Sequence, residues 1–419
     1  VYRAIDALGF AGGMTLGIVQ SGFELVGKRE LPGGFGVANC EANRHLLGDN
    51  WKTEVSDARD WSPLPAELLF GNPPCSGFSP MTDNKHRGID SKINKCMWEF
   101  VAYGAKVRPQ IMVMESVRQA YTLGRPLMQT LRDKLEERTG LRYTQYHVMQ
   151  DALELGGAAR RPRYFMVLSQ IPFGVEYPVV PRFPLLRDVW SDLRNHALTW
   201  EQQPYRRPAT WWTAKARGDN TTFDGHQVHV GLPIRRALDL YELVSGNGGW
   251  PQGWSIGRVA EHCYQSTGKL PDSWTHMIPK LIKKNFHMGF ASITRWDPNK
   301  FGRVIMGSAL DMVMHPWEAR TITHREAARV MGFPDNWRIL PLRRHSGLRA
   351  TWGKGVSVQC GKWIGEQVIA ALDDGPAPFR GVEIGDREWL VQKNYEPSRD
   401  RPRAANFTSD ELLVSPVPR

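Results

Sequence analysis

Gly71-Asn72-Pro73-Pro74-Cys75-Ser76-Gly77-Phe78-Ser79-Pro80 is the stretch on which the reading of this chain turns. It follows the apolar run Leu68-Leu69-Phe70, which reads as a buried strand, so the cysteine is expected at a strand end. The two prolines fix their own φ and push the residues before them into extended geometry. The thiol is thus presented on a stiff backbone, with Gly77 permitting a sharp turn behind it. Most free cysteines are small buried hydrophobes. A thiol is also the strongest neutral nucleophile among side chains near pH 7, and positive neighbours raise its thiolate fraction.

The 419 residues suffice for a large core and point to two domains. With 41% hydrophobic and 23% charged residues the composition is that of an ordinary globular protein. No apolar run reaches the length of a membrane span, so no membrane partner is expected. No secretory signal is visible, and a start at Val1 rather than Met leaves room for an upstream piece. A formal charge of +11 suggests a polyanionic partner, most simply nucleic acid. The five cysteines are scattered without a CxxC pair, which argues for reduced thiols and against a zinc site.

Outward from the cysteine, strand and helix signals alternate. Ala4 to Gly17 reads as strand, glycine turn and helix, an arrangement that brings backbone close to a ligand. Its spacing misses the G-x-G-x-x-G dinucleotide pattern. Gly36-Val37-Ala38-Asn39-Cys40 reads as a second strand ending in Glu41, an acid placed to bind ribose hydroxyls; a solvated surface Glu is the plainer alternative. Val55-Ser56-Asp57 closes a third. The basic loop from Met81 to Asn94 is both a mobile segment and a candidate lid. Ile111-Met112-Val113-Met114 is the next buried strand, with Glu115 at its carboxyl end. A carboxyl desolvated there should have a raised pKa and be able to donate a proton. Arg161 and Arg163 alternate on an extended segment, which puts both guanidinia on one face, where their field would favour thiolate at Cys75.

Taken in order, these motifs resemble those of the cytosine-C5 DNA methyltransferases. The Pro-Pro-Cys75 stretch resembles that family's Pro-Cys motif, whose cysteine attacks C6 of the target cytosine. Leu8-Gly9-Phe10-Ala11-Gly12-Gly13 is similar to its S-adenosylmethionine motif D-x-F-x-G-x-G-G, with Leu8 in place of Phe and Phe10 in place of the first glycine. The resemblance implies that these six residues, Pro74, Glu41 and Asp57 line the cofactor site, with Asp60 competing with Asp57 for the adenine amino group. Glu115-Ser116-Val117 stands where the family has Glu-Asn-Val, the Glu bonding cytosine N3 and the Asn tying down the Pro-Cys loop. Arg161 and Arg163 match the two arginines of Gln-x-Arg-x-Arg, with Ala159 for the Gln. They are implied to grip the cytosine carbonyl and a phosphate. Arg320 to Pro334 resembles the ninth motif, with a capping box at Thr323 and Glu326. Gly353-Lys354-Gly355-Val356 resembles the tenth, which completes the cofactor pocket and leads into a helix over Cys360 to Leu372.

The implied architecture is a doubly wound, mostly parallel, Rossmann-like α/β sheet with a smaller inserted target-recognition domain. Residues 1–182 and 315–374 form the catalytic domain, 183–314 the Trp- and Arg-rich recognition insert, and 375–419 a loosely ordered tail. The implied activity is methyl transfer from S-adenosylmethionine to C5 of a cytosine flipped out of double-stranded DNA, by a monomer without metal in the cytoplasm of a bacterial or phage-infected cell. Lys354 stands where Asn is usual. A cation about 4 Å from the sulfonium would be repelled by roughly 4 kcal/mol at an effective dielectric near 20. Either Lys354 turns away, or the donor is a carboxylated S-adenosylmethionine yielding 5-carboxymethylcytosine. A transfer-RNA substrate and a DNA-binding protein whose catalysis has lapsed are the remaining alternatives.

Overall fold

The computed structural model describes residues 1–33, 36–79, 86–193, 221–223, 226–228, 232–246, 249–288, 293–305, 312–318, 320–339, 352–374, 379 and 381–393. Residues 81–85 of the basic loop, Trp211-Trp212, Asn247-Gly248 and the tail from 394 lie outside them.

The sheet strands are β1 (Arg3–Ala7), β2 (Glu24–Glu30), β3 (Lys52–Val55), β4 (Leu68–Gly71), β5 (Ile111–Ser116), β6 (Thr144–Asp151), β7 (Pro162–Ser169), β8 (Val382–Gly385) and β9 (Glu388–Gln392). They form one nine-stranded sheet in the order β8-β9-β6-β7-β5-β4-β1-β2-β3. β7 runs antiparallel to both β5 and β6, and β8 antiparallel to β9; the other pairings are parallel. Every residue of β4 and β5 is buried, as parallel strands covered on both faces require. From β1 the chain winds outward through β2 and β3, then returns to place β4 on the other side. This reversal opens a crevice at the carboxyl ends of β1 and β4, the usual ligand position of an open α/β sheet.

Helix α1 (Gly13–Gln20) follows β1, and α2 (Gly36–Ala42) follows β2. α3 (Lys95–Val107) and α4 (Arg125–Thr139) flank β5, and α4 stops at Gly140 with φ 69°. α5 (Leu232–Ser245), α6 (Ile256–Thr267) and α7 (Ile278–Lys283) share a core of their own that includes Leu240, Trp250, Val259 and Trp274. Trp190 and Trp296 instead stack on each other within the main core. α8 (His324–Val330) carries the expected capping box: Glu326 N–H donates to Thr323 Oγ1 at 3.0 Å, and Thr323 N–H to Glu326 Oε2 at 2.7 Å. α9 (Val358–Leu372) packs back against α1.

Two expectations are corrected. Gly36–Cys40 is not a strand but part of α2; the second strand is β2, which ends in Glu30. Its last three residues, Lys28-Arg29-Glu30, are all charged, yet all three are buried. Lys28 Nζ lies 2.7 Å from Asp6 Oδ2 with both side chains fully covered, and Arg29 Nε lies 3.2 Å from Glu54. Nor is the region after 375 loose throughout. β8 and β9 extend the sheet beyond β6, with Glu388 paired to Gln145 and Gln392 to Met149.

The hairpin is anchored by Glu388. His147 lies 2.7 Å from its Oε1, Arg125 Nη2 donates to Oε2 at 2.8 Å, and Gln129 to Oε2 at 2.9 Å. Burial alone would raise this carboxyl, but hydrogen bonds from His147, Arg125 and Gln129 outweigh it and hold the group well below the carboxylate range. Burial depresses the His147 imidazole against the pull of Glu388. Both folded groups resist protonation that the unfolded chain accepts, so their stabilisation is complete near neutrality and lost as pH falls. The loss begins below the ordinary histidine value of 6.5 and deepens below the ordinary glutamate value of 4.5. Glu388→Ala should cost about 3 kcal/mol of stability in urea unfolding at pH 7.5, and the part of that difference owed to the carboxylate should shrink only once the pH is taken below 4.5.

Candidate active site

β4 delivers Cys75 and the neighbouring strand β5 delivers Glu115, in the register Gly71 to Met114. Phe78 N–H donates to Cys75 O at 2.9 Å, closing a turn that leaves the thiol half-buried. Glu115 is 1% exposed. Its Oε1 lies 2.6 Å from Arg163 Nε, and its Oε2 accepts from Asn72 Nδ2 at 3.2 Å. Asn72 Nδ2 also donates to Lys354 O at 3.3 Å, and Asn72 Oδ1 accepts from Phe10 N–H at 3.0 Å.

Burial raises the Glu115 carboxyl, opposed by Arg163, Arg161 and Asn72. Burial also raises the Cys75 thiol, with Glu115 acting in the same sense and Arg163 against it. The field of Arg163 acts toward thiolate as expected, and backbone hydrogen bonds act with it, but burial and Glu115 outweigh them. The balance depends on Glu115. A proton on that carboxyl removes one of the two causes that keep the sulfur protonated.

The two arginines do not share a task. Arg161 donates to the backbone carbonyls of Ile305 at 2.8 Å, Gly353 at 2.9 Å and Gly355 at 3.0 Å. Its guanidinium staples the closing segment to the edge of β7, while Arg163 alone meets Glu115.

The glycine turn lies beside this pair. Leu8 has φ 68°, and a Cβ on Gly9 would fall 2.2 Å from Asp6 Oδ1. Lys28 Nζ donates to Gly9 O at 2.9 Å, fixing a turn made one residue earlier than the motif has it. Ala11 is buried, and Gly12, with φ 83°, precedes α1. A Cβ on Gly13 would meet Val356 O at 2.1 Å, so Gly355 and Val356 lie hard against the start of α1. Pro74 and Lys354 are exposed, and the Lys354 ammonium sits 6.0 Å from the centre of the Phe10 ring. The two departures from the motif thus face each other.

At the second strand end the acid is Glu30, which the sequence reading passed over. The Cβ position on Gly36 is 2.6 Å from Glu30 Oε2 and 2.7 Å from Gly9 O, which puts this carboxylate beside the turn. Burial raises its pKa, with Lys28 opposing. Glu41 faces elsewhere: it holds Arg44 at 2.9 Å and Thr53 Oγ1 at 2.5 Å. Asp57, just past β3, is half-buried and held by both Arg59 Nε and Nη2 at 2.9 Å; Asp60 is exposed. The signal for Glu30 was an acid closing the run Phe23 to Glu30 before Pro32-Gly33-Gly34. For Asn72 it was an amide at the strand end inside the stretch first quoted.

These residues fit an adenosyl cofactor. Glu30 ends the second strand beside a glycine turn, and Asp6 Oδ1, buried beneath Gly9, is without a hydrogen-bond partner among the described residues. Among those residues no group of His, Cys, Asp or Glu could hold a metal, and no helix is long and apolar enough to cross a membrane.

A switch-point crevice adjoining a thiol and a buried carboxyl defines a doubly wound α/β group-transfer architecture. A family model described as C-5 cytosine-specific DNA methylase matches residues 2–370, and the chain belongs to that family. The type II methyltransferase M.XorII of Xanthomonas oryzae pv. oryzae is 25% identical over 415 residues, covering 92% of this chain and 89% of that protein. DNA (cytosine-5)-methyltransferase 4 of Arabidopsis thaliana is 25% identical over 68% of this chain, which spans 21% of that relative's length. Among solved structures, a DNA modification methyltransferase encoded within an E. coli prophage superposes with TM-score 0.56 at 19% identity, covering 89% of this chain and 100% of that one, a likeness of fold.

The two candidate acids can be separated by calorimetry with S-adenosylhomocysteine. Glu30→Ala should weaken binding about tenfold or more, the scale of hydrogen bonds to a charged group, while Glu41→Ala should leave it within about twofold.

Proposed function

We propose that this chain transfers a methyl group from S-adenosylmethionine to C5 of cytosine in double-stranded DNA. The observation that carries the reading is the placement of Cys75 and Glu115 on adjacent strand ends beside the glycine turn. When bound, the cofactor supplies an electrophilic methyl carbon on a sulfonium sulfur.

The base must leave the duplex stack to reach the site. Cys75, as thiolate, adds to C6 while Glu115 gives a proton or hydrogen bond to N3, so the electron pair displaced from the ring C5–C6 bond builds up at C5. C5 is then the atom that would take up the methyl group, with the donor's S–CH3 bond breaking and its electron pair remaining on the departing thioether, S-adenosylhomocysteine. A base then removes the C5 proton, the C6–S bond breaks, and the thiolate leaves. Glu115 is suited to the first step because burial raises its carboxyl, and carrying the proton relieves the field that holds Cys75 as thiol. Arg163 orients the carboxyl from the other side, while Arg161 supports the closing segment instead of touching substrate. Glu30, in place of Glu41, takes the ribose hydroxyls, Asp57 the adenine amino group, and Leu8 to Gly13, Pro74 and Lys354 to Val356 surround the cofactor. The enzyme acts as a monomer, and the likeness to a bacterial type II methyltransferase supports a cytoplasmic setting in a bacterial or phage-infected cell.

Ordinary S-adenosylmethionine is favoured over a carboxylated donor because the Lys354 cation already has a partner in the Phe10 ring. Duplex DNA is favoured over transfer RNA because a separate helical core is inserted between the two parts of the catalytic sheet.

The test is covalent trapping on 5-fluorocytosine duplex DNA in the presence of S-adenosylmethionine. Wild type should form an adduct stable to denaturation, and Cys75→Ala none. Glu115→Gln should slow methyl transfer to ordinary DNA by about 10²–10⁴-fold. Mass spectrometry of the product should give 5-methylcytosine. Labelling of transfer RNA instead of DNA, a 5-carboxymethyl product from the carboxylated donor, or an inert wild type would overturn the respective part.

A further inference from the structure

Three segments far apart in the chain converge on a single amide. Asn72 Oδ1 accepts from Phe10 N–H in the glycine turn, and Nδ2 donates to Glu115 Oε2 and to Lys354 O in the closing segment. Only an oxygen can meet the Phe10 N–H and only a nitrogen the Lys354 carbonyl, so the amide has one orientation and Glu115 always faces a donor. Both Nδ2 hydrogens are engaged, and the residue is 7% exposed. The neighbouring position offers no substitute: Ser116 Oγ is buried and has no hydrogen-bond partner among the described residues.

We infer that Asn72 is a positioning residue that couples the cofactor crevice to Glu115. The inference rests on the function proposed above and adds a link to it. Two walls of the crevice and the proton-donating carboxyl hang on the same side chain. A cofactor that clamps the glycine turn to the closing segment therefore also fixes the plane of the Glu115 carboxyl, and a cytosine held by Glu115 stiffens the crevice in return. Such coupling is reciprocal in binding free energy. The charged and titratable groups facing Glu115 are Arg163 of β7, Arg161 just before it, Cys75 of the Pro-Pro loop and Cys360 of α9. None of them touches both crevice walls through the same group that meets Glu115.

Asn72→Asp isolates the link. It keeps an acceptor for Phe10 N–H but turns a carboxylate oxygen toward Glu115. At pH 8 its kcat for duplex DNA should fall about tenfold more than its affinity for S-adenosylhomocysteine, and the deficit should close as pH drops toward 6, where a proton shared between the two carboxyls restores a donor. Wild type should show no such recovery. Asn72→Ala, checked for folding by thermal unfolding, should abolish the factor by which S-adenosylhomocysteine tightens duplex DNA binding. An Asn72→Asp profile parallel to that of wild type, or an unchanged factor in Asn72→Ala, would overturn the coupling. A wild-type chain that transfers no methyl group would overturn the functional reading itself, whereas an active wild type with parallel profiles removes this inference alone.

Discussion

A carboxyl group withdrawn almost completely from water is the constraint around which this molecule is arranged. Burying a charge is costly unless partners are buried with it. Glu115 receives them from both sides: a guanidinium across the sheet and an amide from the adjacent strand end. Arg163 reaches it because β7 is antiparallel. In the register Ser116 lies opposite Tyr164, so the residue just before Tyr164 falls at the mouth of β5. A parallel strand in that place would have presented its carboxyl end there instead. The one reversed strand in the middle of a parallel sheet therefore has a chemical consequence as well as a topological one.

The same logic runs through the cofactor side. Asp6 and Lys28 are both fully covered, and Lys28 spends its charge on the Asp6 carboxylate and the Gly9 carbonyl. Breaking such a pair would strand a charge, whereas the intact pair holds a turn that the motif's usual glycine spacing would not require. Phe10 and Lys354 are a second matched departure, an aromatic face and a cation where the resembling family has Gly and Asn. Substitutions that look like damage when read singly become compensations when read together.

Much of this was legible from the residues. The apolar runs of β1, β4, β5 and β7 have the length and burial expected of inner strands, and Cys75 and Glu115 stand at their ends as spacing required. β2 was missed because buried charges imitate a surface: no periodicity rule sees that Lys28 finds Asp6, or that Arg29 finds Glu54, across other strands. Gly36–Cys40 was taken for that strand because a short stretch rich in small apolar residues suits either state. The C-terminal hairpin was hidden for a related reason. Glu388 falls in the stretch expected to be a loosely ordered tail, and only the fold supplies His147, Arg125 and Gln129 around it. Arg161 and Arg163 were placed on a common face by alternation, but three carbonyls of distant segments claim one of them. In each case the deciding contact joins residues far apart in the chain.

The contact of Gly13 with Val356 has a consequence for how the protein comes into being. One wall of the crevice belongs to the segment made before the helical insert, and the other to the segment made after it. A nascent chain can assemble the early strands on the ribosome, domain by domain, yet it has no complete ligand cleft until α9 has been released to dock on α1. Ligand-assisted maturation must therefore wait until α9 has emerged, and a ribosome stalled within the insert would hold the early strands without the closing wall.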